Sequence, residues 1–186
     1  MNIIGEASIT PGLAVTRRRA LRLAYDDLAH LRDQIVGLPQ SPVRDLGDFR
    51  RAGPNAKRAI LAALLAAADC GPAWQPETTA VLGWNGDGCA TENALFWQDY
   101  TANGRTQARG ALFVPTLCSV PLCEAAIALG IHGPAVYLQA EADALADALA
   151  LADTPFIMTI TITADQTTAT VRKTAHEAET DIPEMA

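Results

Sequence analysis

Residues 59–68 read Ala-Ile-Leu-Ala-Ala-Leu-Leu-Ala-Ala-Ala, ten positions without a charge. Alanine and leucine are the strongest helix formers. Pro54 stands where a helix starts and Gly71-Pro72 where one stops, so the pattern predicts a helix over 54–70. A helix that is apolar all round cannot lie on a surface with one face in water. The fold must cover it with a sheet on one side and with a further layer on the other. At 186 residues the chain can build such a core as one domain.

The other periodicities supply the layers. Helical spacing predicts helices near 16–36, 90–102, 119–129 and 142–152. The first of these sets Leu21, Ala24, Leu28, Leu31 and Ile35 opposite Arg18, Arg22, Asp26 and Asp33. Strands are predicted near 2–9, 78–84, 134–140, 155–163 and 166–173. Phe156-Ile157-Met158-Thr159-Ile160-Thr161-Ile162-Thr163 alternates and is rich in β-branched residues; a short turn at Ala164-Asp165-Gln166 returns the chain through residues 167–172. The expected architecture is α/β: a five-stranded mixed sheet with helices on both faces and an antiparallel C-terminal hairpin strand. The domain is expected over 1–175, with an acidic tail over 176–186.

A net charge of −7 disfavours nucleic acid and anionic membrane surfaces as partners. Basic residues cluster only at Arg17-Arg18-Arg19 with Arg22, and at Arg44, Arg50, Arg51, Lys57 and Arg58, where solvated helix faces are the ordinary reading. The N-terminus has no basic region followed by a long apolar run, and charges interrupt every stretch of about 18 residues, the length of a membrane span. A cytoplasmic protein is expected. Cys70, Cys89, Cys118 and Cys123 form no CxxC pair, so reduced structural thiols are expected, with no metal and no cofactor.

Several segments, in order, resemble one family. Residues 2–9 with the Pro11-Gly12 turn read as a first strand. Asp48-Phe49-Arg50-Arg51 leads into the alanine-rich helix. Thr79-Ala80-Val81-Leu82-Gly83-Trp84-Asn85-Gly86-Asp87-Gly88 reads as a strand and glycine turn, followed by the helix of Glu92-Asn93-Ala94-Leu95-Phe96-Trp97. Phe113-Val114-Pro115-Thr116-Leu117 and Ala125-Ala126-Ile127-Ala128-Leu129-Gly130 then lead to His132-Gly133-Pro134-Ala135-Val136-Tyr137-Leu138. This series resembles the N-terminal half of the β-ketoacyl synthases, which have a thiolase-like fold. The resemblance implies a single thiolase-like half-domain. It also implies that the strand Ala135, Val136, Tyr137, Leu138 and Gln139 is the one paired across the family's dimer two-fold.

The resemblance breaks at the nucleophile. In the family a catalytic Cys stands at about the tenth position counted from the Gly of Gly-Pro; here that position is Ala142, and no Cys follows Cys123. Attack on an acyl thioester requires a thiolate, which alanine cannot supply. His30, His132 and His176 do not match the family's second-half His motifs, so no catalytic residue carries over. The remaining candidates each have a plainer reading. Gly83-Trp84-Asn85-Gly86-Asp87-Gly88 has the setting of a phosphate cradle but neither the GxGxxG nor the P-loop spacing, and a tight strand-to-helix turn explains it as well. Cys89 at a helix start could be a reactive thiolate. Glu141 and Asp143 flank Ala142 and could do acid–base work, or could cap a helix. Ser119, His132 and Asp143 or Asp147 lack any nucleophile-elbow motif.

The expected role is a non-catalytic ketosynthase-like accessory or binding protein in fatty-acid or polyketide-type biosynthesis. It is expected to form a homodimer or a heterodimer with a full-length ketosynthase, and to meet an acyl carrier protein. Self-association is also expected on another ground: the 59–68 helix or the 144–151 helix would otherwise expose an apolar face. The alternatives are an enzyme with divergent chemistry in the same cleft, using Cys89 or the Glu141/Asp143 pair, and a stand-alone protein without acyl chemistry.

Overall fold

The helix Pro54–Cys70 forms where its brackets place it and becomes the centre of the molecule. From Ala59 to Cys70 every residue is buried. The computed structural model describes residues 1–47, 49–86, 88–103, 109–139 and 154–174.

Seven strands form one open sheet, where five were expected. They are β1 Asn2–Thr10, β2 Leu13–Thr16, β3 Arg22–Ala24, β4 Thr79–Asn85, β5 Ala135–Tyr137, β6 Phe156–Ile162 and β7 Thr167–Lys173, in the order β3-β2-β1-β7-β6-β4-β5. β4 is parallel to both β5 and β6, whereas β7 runs antiparallel to β6 and β1, as the C-terminal hairpin required. The described α-helices are α1 Leu28–Val36, α2 Pro54–Cys70, α3 Ala90–Ala102, α4 Gly110–Phe113 and α5 Val120–Leu129.

The two additional strands occupy residues for which a long helix over 16–36 was expected. Gly12, at φ +76°, closes a hairpin between β1 and β2, a conformation that glycine adopts freely. The chain then turns through the three arginines and returns as β3. That turn is held from below: the buried Asp69 carboxylate accepts the backbone N–H groups of Glu6, Arg18 and Arg19. The helix starts only after Asp27, whose side chain caps it by accepting from the His30 N–H at 2.8 Å.

One face of the sheet carries Ala7, Ile9, Val81, Met158, Ile160, Ile162, Ala169 and Val171, and packs on α2 and α5. Two glycines on this face let the helices approach. A Cβ at Gly5 would collide with Cys70 and Ala66 of α2, and one at Gly83 with Leu122 of α5. α1 and α5 also pack against α2. The expectation that the 59–68 helix exposes an apolar face is therefore overturned: the chain covers α2 itself. The helix expected over 142–152, the 144–151 face and the tail over 176–186 fall outside the described residues.

Candidate functional site

β4 and β5 are parallel and end side by side, at Asn85 and Tyr137. The carboxyl ends of parallel strands in an open α/β sheet are where ligands are commonly bound. The chain leaves β4 through the glycine turn. There the Gly86 N–H donates to the Ile162 carbonyl at 2.9 Å and the Gly88 N–H to the Asn85 carbonyl at 3.2 Å. Both amides serve the backbone, which is the tight-turn reading of this motif. Gly88 and Cys89 both take left-handed conformations, at φ 53° and 59°, and turn the chain directly into α3.

Cys89 is the N-cap of α3, as its position in the sequence suggested, but it is fully buried and its side chain caps no amide. Its thiol instead accepts from the Asn85 amide nitrogen at 3.5 Å. Burial pushes it up to about 12, and Cys118 and Glu92 add to the shift. The Tyr137 hydroxyl donates to the Asn85 carbonyl oxygen at 3.5 Å. Burial, with Cys118, raises this phenol to about 12. Asn85, Cys89 and Tyr137 thus cluster at the strand ends. Beside it, the buried Glu92 accepts from the Asn55 amide at 3.4 Å, and Arg58 donates to Asn55 and to the carbonyls of Thr163 and Ala164.

The other sequence candidates are dispersed. Ser119 and His132 are both exposed, and Ser119 begins α5 without a side-chain cap. Ala142, Glu141 and Asp143 fall outside the described residues. Arg17 and Arg18 are held by Glu6 and by the Ile4 carbonyl, and Arg19 by Gln40. Around Phe49 the chain forms an open groove of about 430 Å³ lined by Arg32, Arg50 and Lys57. The Arg32 guanidinium and the Lys57 ammonium sit 5.5 and 5.9 Å from the Phe49 ring centre. Among the described residues no group of three or more His, Cys, Asp or Glu side chains could hold a metal. No single helix among them is long and apolar enough to cross a membrane.

Two surfaces stand out. β5 is an edge of the sheet, with Ala135, Val136 and Gln139 exposed and Tyr137 and Leu138 half-buried; the Leu138 N–H still bonds the Gly83 carbonyl at 2.8 Å. The second surface was not foreseen. Phe96, Trp97, Tyr100 and Phe113 stack edge and face between α3 and α4, leaving Leu95, Trp97, Phe113, Val114 and Leu117 about half exposed. The sequence signal was available in Phe96 and Tyr100, four apart on one helix, with an apolar segment at 111–117.

No protein-family profile matches the chain, and no curated protein matches it in sequence. Solved structures do match. The ketosynthase ApeO in complex with its chain length factor ApeC, from Xenorhabdus doucetiae, superposes with a TM-score of 0.59 over 92% of this chain and 78% of the matched one, at 14% identity. The ishigamide ketosynthase/chain length factor superposes with a TM-score of 0.60 over 95% of this chain, at 12% identity; the chain spans 63% of that protein's length. At these identities the likeness is one of architecture: the chain has a ketosynthase-like, thiolase-like fold.

Proposed function

We propose that the chain is a non-catalytic ketosynthase-like subunit that works beside a full-length ketosynthase in fatty-acid or polyketide-type biosynthesis. The ketosynthase-like architecture supports the reading, and with it the sequence resemblance, which aligns Ala142 with the family's nucleophilic Cys. Both matched structures carry a ketosynthase and a chain length factor in their names, which supports a role as the silent member of such a pair. Divergent chemistry at Cys89 is disfavoured by its burial and by a thiol held up to about 12, far from the thiolate that nucleophilic attack requires.

In this reading the β5 edge, Ala135 to Gln139, faces the partner subunit. An acidic acyl carrier protein meets the exposed groove lined by Arg32, Arg50 and Lys57. Incubating the purified chain with acyl carrier thioesters and measuring intact mass tests the reading. The expected result is no covalent acyl adduct, together with salt-sensitive carrier binding that Lys57→Glu with Arg50→Glu weakens about tenfold or more. A stoichiometric acyl adduct on any cysteine would overturn it.

A further inference from the structure

We propose that the groove at the C-terminal end of α2 is a binding site for a small organic carboxylate with a flat apolar body. Two cavities, of about 430 and 190 Å³, adjoin there and share Gln40 and Ala68. The larger falls within the range of about 300–1,000 Å³ that small-molecule sites occupy. Trp74 and the rings of Pro42, Pro72 and Pro76 give it flat apolar walls. Arg44 lines the larger cavity and Arg19 the smaller.

The two arginines are held differently. Arg44 is exposed, and its guanidinium makes no hydrogen bond or ion pair with another described residue. Its stem is fixed all the same. The Arg44 N–H donates to the Ala128 carbonyl at 2.8 Å, and its Cγ packs over Gly130, 3.3 Å from where a Cβ would stand. Arg19 is anchored by its Nη2, which donates to the Gln40 Oε1 at 2.5 Å. The same nitrogen lies 3.1 Å from the place of a Cβ on Gly71, a wall residue of the larger cavity. Arg19 therefore stands at the join between the two.

The sign of the charge selects the ligand. The carbonyl end of α2 carries roughly half a negative charge, which two guanidiniums outweigh. The Asp69 carboxylate is already occupied by the amides of Glu6, Arg18 and Arg19. A guanidinium fork matches a carboxylate in two parallel hydrogen bonds, and Trp74 offers its ring to the apolar body. The buried Trp74 indole N–H finds no acceptor among the described residues. Buried donors are seldom left so, and an oxygen of the ligand would supply one. This site is distinct from the Phe49 groove, which lies at the other end of α2, about 25 Å away along a helix of 17 residues. It does not depend on the carrier reading.

The test is NMR of the ¹⁵N-labelled full chain, in which Trp74, Trp84 and Trp97 each give one indole N–H signal. The probe is 2-naphthoate, with 2-naphthamide as its uncharged isostere. The expected result is a saturable shift of the Trp74 signal by naphthoate, with Trp84 and Trp97 unmoved and the amide binding at least tenfold more weakly. Arg44→Ala should weaken naphthoate binding about tenfold, and Arg44→Lys, which keeps the charge and loses the fork, should recover it only in part. Equal affinity for acid and amide would overturn the proposal. So would a shift confined to Trp97, or no saturable shift of Trp74 at millimolar probe.

Discussion

Asp69 sits in the last turn of α2, where the helix dipole disfavours a negative charge. Three backbone amides from β1 and the arginine turn offset that cost, and each would be left without a partner if the carboxylate were removed. The thiol of its neighbour Cys70 is driven up to about 12 from an ordinary 9.0, first by desolvation and then by Asp69. The sign of the consequence follows from proton linkage. Between those two values the unfolded chain loses the Cys70 proton while the folded chain keeps it. The stabilisation is therefore complete below pH 9 and drains away as pH rises toward 12. Cys89 titrates in the same direction. Urea unfolding at pH 8 and pH 10 should show stability falling by roughly 1 kcal/mol per buried thiol per pH unit above 9. Cys70→Ala should make that limb shallower. A stability unchanged between the two pH values would mean that these thiols are not sealed from solvent.

Elements pack here through missing side chains. α5 crosses β4 where Gly83 leaves room for Leu122, whose nearer methyls, with the Ile160 carbonyl, occupy the space that any Cβ would need. Gly83→Ala should cost about 1–3 kcal/mol by overpacking, and Leu122→Ala about 2–5 kcal/mol by leaving a cavity. In the double variant the new methyl sits in the space that leucine vacated, so the combined loss should fall short of the sum by 1 kcal/mol or more. Additive losses in chemical denaturation would show that the helix does not approach β4 this closely. Local signals explain what the sequence disclosed at this scale. α2 was legible end to end because Pro54 and Gly71 bracket an uncharged run, and the β6–β7 hairpin because its alternation is long. The expected helix over 16–36 failed because its apolar spacing also suits a tight meander. Gly12, the Asp69 contacts and the Asp27 cap decide between the two, and the Asp69 contacts arise from a residue some fifty positions away. The cluster of Asn85, Cys89 and Tyr137 was illegible for the same reason: its members come from three elements with no common period.

For the molecule as a whole, the question is which surface remains unfinished. α2 is covered by the chain's own elements, so the drive to associate rests on the β5 edge and on the apolar residues of α3, α4 and the segment after them. Among the described residues β5 pairs only with β4, and an open strand edge invites another strand. Exposed apolar patches of a few hundred Å² commonly mark interfaces, and a stable one needs about 800 Å² from each partner. Val136, 41% exposed on the edge, and Trp97, 57% exposed on α3, are the large side chains that such an interface would bury. Light scattering at micromolar concentration should therefore report a mass near twice the 19.6 kDa of the chain, or a one-to-one complex when a full-length ketosynthase is added. Val136→Lys, which places a charge on the pairing edge, should return the chain to monomer or abolish the complex while leaving its melting temperature close to the parent value, since Val136 is not part of the core. Val136→Ile should keep the association. A clean monomer mass, stable on dilution and unchanged by the ketosynthase, would count against the β5 edge as an interface, and with it against the paired-subunit role.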